Sequence, residues 1–168
     1  MELKFIGRDV IISDAKITRK NFAGLEEVNR TTGEVYNQNH ERHFDIMIDN
    51  EELAKELQEF GFKVSASNPN QDGDVRYFIN KIACRFDKFP PDIYKFTGSR
   101  KYKLSENELD ELDRLYFDQV DLRMNLSTKG KAYVKKLYVV VAQDDIDKKY
   151  AHYFDDNDSS MDDEMAFM

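Results

Sequence analysis

Residues 76–104 read RYFINKIACRFDKFPPDIYKFTGSRKYKL. The stretch holds eight Lys or Arg, seven Phe or Tyr and two acids, Asp87 and Asp92, in a chain whose formal net charge is −8. A local reversal of sign needs a reason. Cations interleaved with aromatic rings suit a single-stranded nucleic acid, because cations follow phosphates and ring faces accept unstacked bases. From Tyr77 to Asp87 the side chains alternate with period two, as in a strand. Phe78, Asn80, Ile82, Cys84 and Phe86 form the face expected in a core, and Tyr77, Ile79, Lys81, Ala83 and Arg85 form the other. Pro90-Pro91 ends the strand, since proline donates no ladder bond. A second short strand over residues 93–97 is expected to pair back on it as a hairpin. Gly98 then opens a basic loop of Ser99, Arg100, Lys101, Tyr102 and Lys103. An ordinary hairpin with a solvated outer face carries the same residue types, so the rest of the chain decides.

The 168 residues suffice for one domain with a substantial core, placed over residues 1–150, followed by a tail over residues 151–168. No apolar run approaches the length that spans a membrane, and the N-terminal MELKFIGRD lacks the apolar region of a signal peptide. The lone Cys84 excludes an internal disulfide and fits a reducing cytoplasm. It falls on the apolar face and reads as a core thiol. An acidic chain at first argues against nucleic acid, but the charge is unevenly spread. Asp155, Asp156, Asp158, Asp162, Asp163 and Glu164 stand at the end with no base among them. Without them 27 acids face 25 bases, so the body is near neutral.

Residues 3–20 read as one long strand or two joined at a bend, with Val10, Ile11 and Ile12 as a buried run. Gly24 marks a turn, and residues 25–41 form a polar arm centred on Thr32-Gly33. Arg42 to Asp49 is a strand with Phe44, Ile46 and Ile48 on one face. A helix follows, capped by Asn50, favoured by Glu51 and Glu52, striped with Leu53, Ala54, Leu57 and Phe60, and stopped by Gly61. Phe62 to Ala66 is a short strand. Ser105 and Glu108 make a capping box with Leu104 and Leu109 as its staple, and Leu109, Leu112 and Leu115 give a short amphipathic helix. Gln119 to Leu126 and Lys131 to Ala142 are the last strands. In the second, Tyr133, Lys135, Leu137, Val139 and Val141 share one side. A short helix is expected over Asp144–Tyr153 and disorder beyond it. The fold expected is mainly β, a small OB-fold-like barrel with two or three short helices.

The chemistry of enzymes is hard to find. There is no phosphate loop, dinucleotide glycine pattern or nucleophile elbow. His40 and His43 stand three apart without further Cys or His support for a metal. Asn68 to Asp74 is a poor calcium loop, because its twelfth position is Ile79 where a bidentate Glu belongs. Asp144, Asp145 and Asp147 could suggest magnesium, but an Asp-rich helix N-terminus explains them more simply. No metal, cofactor or catalytic residue is expected.

Arg19-Lys20-Asn21-Phe22-Ala23-Gly24 after the first β segment resembles the RNFAG-like motif of bacteriophage single-stranded DNA-binding proteins with an OB-fold. The similarity continues at Arg42-x-Phe44, at the helix Glu52 to Gly61 with Phe62-Lys63-Val64, and at Lys131-Ala132-Tyr133-Val134. It covers about residues 5–150, and the order of the motifs is its stronger signal. Two features depart from the pattern. The arm at residues 25–41 is long, and a helix follows the second strand, where a simple OB-fold has its helix between strands three and four. The acidic end also resembles the tails of bacterial single-strand binding proteins, with acids before a hydrophobic tip, here Met165-Ala166-Phe167-Met168. The resemblance implies that this tail, through its acids and Phe167, recruits replication or recombination proteins.

The reading is thus a sequence-independent single-stranded DNA-binding protein of the host cytoplasm, without membrane contact and open to self-association. Its groove is expected at Tyr77, Lys81, Arg85, Tyr94, Phe96, Arg100, Lys101 and Tyr102, continued by Arg19, Phe22, Arg42, Tyr133 and Lys135. Lys and Arg neutralise phosphates and aromatics stack bases. An acidic interaction module that does not bind DNA is the rival reading, and a metal-dependent nuclease a third.

Overall fold

The chain begins as a hairpin. β1 (Glu2–Ile6) and β2 (Asp9–Ser13) are joined through Gly7, whose φ of +59° suits a tight turn. The computed structural model describes residues 1–142, so the expected helix at 144–153 and the acidic tail lie outside the described residues. After β2 the chain bends at Asp14-Ala15 into β3 (Lys16–Asn21). The arm, which the sequence leaves open between a hairpin and a loop, is a small hairpin of β4 (Glu27–Val28) and β5 (Val35–Tyr36). β6 (His43–Ile48) leads into α1 (Glu51–Phe60). Asn50 caps α1 by accepting from the Glu52 and Leu53 amides, and Gly61 ends it at φ +125°. β7 (Ser65–Ala66), β8 (Tyr77–Ala83), β9 (Asp92–Thr97) and β10 (Arg100–Leu104) follow. The capping box forms, with Glu108 accepting from the Ser105 amide and hydroxyl, and the segment it opens is a 3-10 helix over Glu106–Arg114. β11 (Phe117–Leu126) and β12 (Ala132–Val141) complete the described chain.

Ten strands share one sheet in the order β1-β2-β11-β12-β8-β6-β3, with β7 on β8 and β9 between β12 and β10. No pair joins β1 to β3, so the pairing is open and the closed barrel expected does not form. The reason lies at the Asp14-Ala15 bend. β2 follows β11, and the Ala15 amide still reaches the Val120 carbonyl at 2.8 Å, but β3 then leaves for β6. At its end β3 meets the 3-10 helix, where the Lys20 ammonium donates to the Leu112 and Leu115 carbonyls.

Two expectations for the basic stretch fail for one reason each. Residues 93–97 do not pair back on β8. β9 instead runs parallel to β12, from Asp92 beside Lys136 to Phe96 beside Val140. The 3-10 helix and β11 supply the long crossover that a parallel pair requires. The expected basic loop is β10, antiparallel to β9 around a turn at Gly98 with φ +59°.

Phe22, Phe44, Ile12, Ile46, Ile48, Leu57, Ile82, Ile93, Leu122 and Met124 are among the large side chains wholly removed from water. Burial of each contributes roughly 1.5–3 kcal/mol. Leu57 of α1 and Leu109 and Leu112 of the 3-10 helix join the same core. The strand faces follow the expected alternation in β6 and β11 but not in β8 or β12. Lys81 stands at φ +57° and the β6–β8 register slips between Phe44 and Ile46, so Ile79, Ile82 and Ala83 are all buried while Asn80 and Lys81 face water. A slip between Arg123 and Met124 likewise bulges β12 at Lys135, and Ala132, Val134, Leu137 and Val139 are the buried residues. The expected face of Tyr133, Lys135, Leu137 and Val139 is therefore split by an extra residue.

Candidate nucleic-acid interface

The outward face of the β9–β10 hairpin and β12 carries an aromatic platform. Pairing sets Tyr94 beside Tyr138 and Phe96 beside Val140, while inward neighbours Ile93 and Leu137 fill the core. The Tyr94 and Tyr138 rings stack with centroids 5.3 Å apart at 10°, and Phe96 lies 6.2 Å from Tyr138. Opposite them on β10 are Lys101 and Lys103. The Lys101 ammonium sits 4.4 Å from the Tyr94 centroid and 5.9 Å from that of Phe96. Partly exposed rings with a cation above them are an arrangement in which a base replaces water and the cation reaches its phosphate.

Period two puts Arg100 and Tyr102 on the other side of the hairpin. There Lys95 lies 5.2 Å from the Tyr102 ring and pairs with Glu111 of the 3-10 helix at 2.7 Å. The Arg100 guanidinium, with Thr97 and Lys95 nearby, holds the Tyr102 phenol below its ordinary pKa. The structure thus divides the expected hairpin cluster. Tyr94, Phe96 and Lys101 share a face, and Arg100 and Tyr102 do not join them.

A second cation–ring site lies where β3, β6 and β8 run side by side. Lys16, Met47, Phe78 and Ser65 form one outward row. The Arg19 guanidinium lies 5.1 Å over the Phe78 ring. Asp45, also outward, accepts the Lys81 amide at 2.8 Å and pairs with Arg19 at 3.4 Å. Phe78 was expected in the core, and the register instead gives it to the outer row.

Between the two sites runs the row Asn21, His43, Ala83, Tyr133, Asn125, Asp9. Tyr133 is half-buried within it. Asp9 receives Lys135 at 2.8 Å, Arg123 at 2.7 Å and Asn125 at 2.7 Å. Burial works against the Asp9 carboxylate, but the bonds from Lys135, Asn125 and Arg123 outweigh it and hold its pKa below the ordinary value. Lys135 is therefore committed to an internal acid.

Four other expected contacts have structural duties. Phe22 is 0% exposed and packs on Phe44 at 5.3 Å, so no base reaches its ring. Its amide and that of Ala23 donate to Asp113 at 2.7 and 2.9 Å. Arg42 donates to the Phe22 carbonyl at 2.6 Å and faces Glu106 at 3.5 Å, which ties the arm's base to the 3-10 helix. Gly24 belongs to the same closure, because a Cβ there would lie 2.5 Å from the His40 carbonyl oxygen. Tyr77 packs against the core from β8. Arg85 forms a two-bond fork to Asp87 at 2.9 and 3.0 Å, beside a polar cleft of about 370 Å³. Complete burial pushes the Cys84 thiol up to about 12, in keeping with a core role. Among the described residues no group of three or more His, Cys, Asp or Glu is placed to hold a metal ion, and no helix is long and apolar enough to cross a membrane.

Reading the sequence missed Tyr138, Lys103, Lys16 and Met47 as neighbours of these sites. Tyr138 was visible as the one polar-tipped ring in the apolar run 137–141. Lys16 and Met47 had no local signal. A family model described as "Putative phage ssDNA-binding domain" matches residues 2–166. No curated protein and no solved structure matches the chain.

Proposed function

The chain belongs to the phage single-stranded DNA-binding domain family, and from that premise we propose that it binds single-stranded DNA without reading sequence, in the cytoplasm of an infected cell, during phage DNA replication or recombination. The observation that carries this reading is the outward platform of Tyr94, Phe96 and Tyr138 beneath Lys101. Stacking is indifferent to base identity because every base has a ring face. The proposed path leaves the platform, crosses Tyr133 and ends at Arg19, Phe78 and Lys81. The role is binding rather than catalysis, and the acids from Asp155 onward with Phe167 recruit partner proteins.

An OB-type core is the architecture we infer beneath this path. Asp9–Asn21, taken as one bent strand, flanks both β11 and β6. With β6, β8, β11 and β12 it gives five strands in the order one-two-three-five-four, and the third and fifth pair in parallel. OB-folds are partly open barrels that bind oligonucleotides on strands two and three and on the loops after strands one and four. Here those strands are β6 and β8, and the loops are the arm and residues 127–131, which include Lys129 and Lys131. The 3-10 helix falls between strands three and four, where a simple OB-fold has its helix, and α1 is an insertion.

Fluorescence anisotropy with labelled oligo-dT and a duplex of equal length, at two salt concentrations, tests the function. The expected result is tight binding to the single strand alone, weakening as salt rises. No binding at either salt would favour the acidic interaction module instead.

A further inference from the structure

We infer that Asp45 is a positioning residue for the phosphate-facing cations of this groove, an inference that rests on the single-strand reading above. Asp45 belongs to the outward row of β6, yet it is only 5% exposed. A buried carboxylate persists where its oxygens are bonded or paired. Here two different strands use it. Oδ1 accepts the Lys81 amide of β8 at 2.8 Å, and Oδ2 faces Nη1 of Arg19 in β3 at 3.4 Å.

Both partners stand where side chains rarely do, Arg19 at φ +50° and Lys81 at φ +57°. The registers of β3 with β6 and of β6 with β8 both slip beside them. Asp45 is thus the common anchor of two left-handed irregularities on either side of its own strand. Each of them turns a cation outward. Lys81 emerges beside Asn80, flanked by buried Ile79 and Ile82. Arg19 lies 5.1 Å over the Phe78 ring with its side chain still 66% exposed. A guanidinium held by a ring on one face and a carboxylate on one edge keeps its remaining N–H fork in one geometry, which suits a phosphate.

Charge alone predicts the opposite role. An acid on the DNA-facing side of a sheet repels phosphate, so its removal should tighten binding. The two roles therefore differ in sign. Asp45→Asn keeps the shape and the acceptor for the Lys81 amide but loses the charge that fixes Arg19. Binding to oligo-dT across a salt series, for the full chain and its variants, decides between them. We expect Asp45→Asn to bind about 5-fold more weakly although it is one charge less negative. The slope of log K against log salt should fall by about 0.7, the loss of one phosphate contact. In an Arg19→Ala background, Asp45→Asn should change nothing further. Equal or tighter binding by Asp45→Asn, or the same loss without Arg19, would overturn the inference. Should Asp45→Asn unfold, Arg19→Lys decides, because it keeps the charge and loses the stacked fork. Weaker binding at an unchanged salt slope supports the inference, and unchanged affinity overturns it. Failure of the wild-type chain to bind would instead remove the functional reading itself.

Discussion

On the β9–β10 hairpin, Lys101 lies 4.4 Å from the Tyr94 ring, and no carboxylate among the described residues pairs with it. At the β3–β8 corner, Arg19 lies 5.1 Å from the Phe78 ring and shares its charge with Asp45. Among the described residues the first cation rests on rings alone, which it can trade for a phosphate. The second is fixed from two sides before any ligand arrives. Between them, Lys135 and Arg123 share the single carboxylate of Asp9, so the three together offer one positive charge instead of two. Counting cations on a surface is therefore a poor guide to how many of them a nucleic acid can use.

The largest expected effect comes from an aromatic that belongs to neither site. Phe22→Ala should cost about 3–5 kcal/mol of folding stability in urea titrations, because the ring is wholly buried. The fraction still folded should bind single strands as before, and a loss of affinity there would move the groove to the arm's base. Tyr138→Ala comes next. It removes the ring that both Tyr94 and Phe96 meet, and should weaken oligo-dT binding by about 1–3 kcal/mol with little change in unfolding midpoint. Unchanged affinity would empty the platform of function. Lys101→Gln should then lower the salt slope by about 0.7, whereas Lys135→Gln should lower it by less, because Lys135 shares the Asp9 carboxylate with Arg123 and is partly neutralised before DNA arrives. Equal slopes for the two variants would erase the distinction drawn between them.

The smallest effect is on stability in acid. The Asp9 carboxyl titrates below its ordinary 3.8 in the folded chain, so in that range the unfolded chain binds more protons. The stabilisation from Asp9 is present above that pH and fades as pH falls through the folded value. Asp9→Asn should flatten that limb of a pH–stability profile, and an unaltered profile would show that the cluster contributes nothing.

The parts legible in the sequence are those fixed by near neighbours. Asn50 and Gly61 bound α1, Ser105 and Glu108 open the 3-10 helix, and the alternation of Phe44, Ile46 and Ile48 gives the inward face of β6. What escaped depends on distant partners or on irregular backbone. Nothing in residues 92–96 announces that their partner is residues 136–140, in parallel. Arg19 and Lys81 adopt left-handed φ without glycine, so the period of two breaks where composition gives no warning. That break moved Phe78 out of the core and Ile79 into it. Phe22 misled for a different reason. A ring between a basic pair and a glycine reads the same whether it faces a base or Phe44.

The pairing of β2 with β11 sets a schedule for the newborn chain. Ile12 sits opposite Leu122, so the Val10-Ile11-Ile12 run must wait for more than a hundred residues to be made. At the usual pace of a ribosome that wait is ~5–20 s. Throughout it only β1 is available to cover one edge of β2, and the other edge offers its amides and carbonyls to any neighbouring chain. A chain synthesised in bulk should therefore be most prone to clumping before residue 126 has emerged, and the short β1 hairpin, which takes no part in the proposed groove, is its protection during that interval.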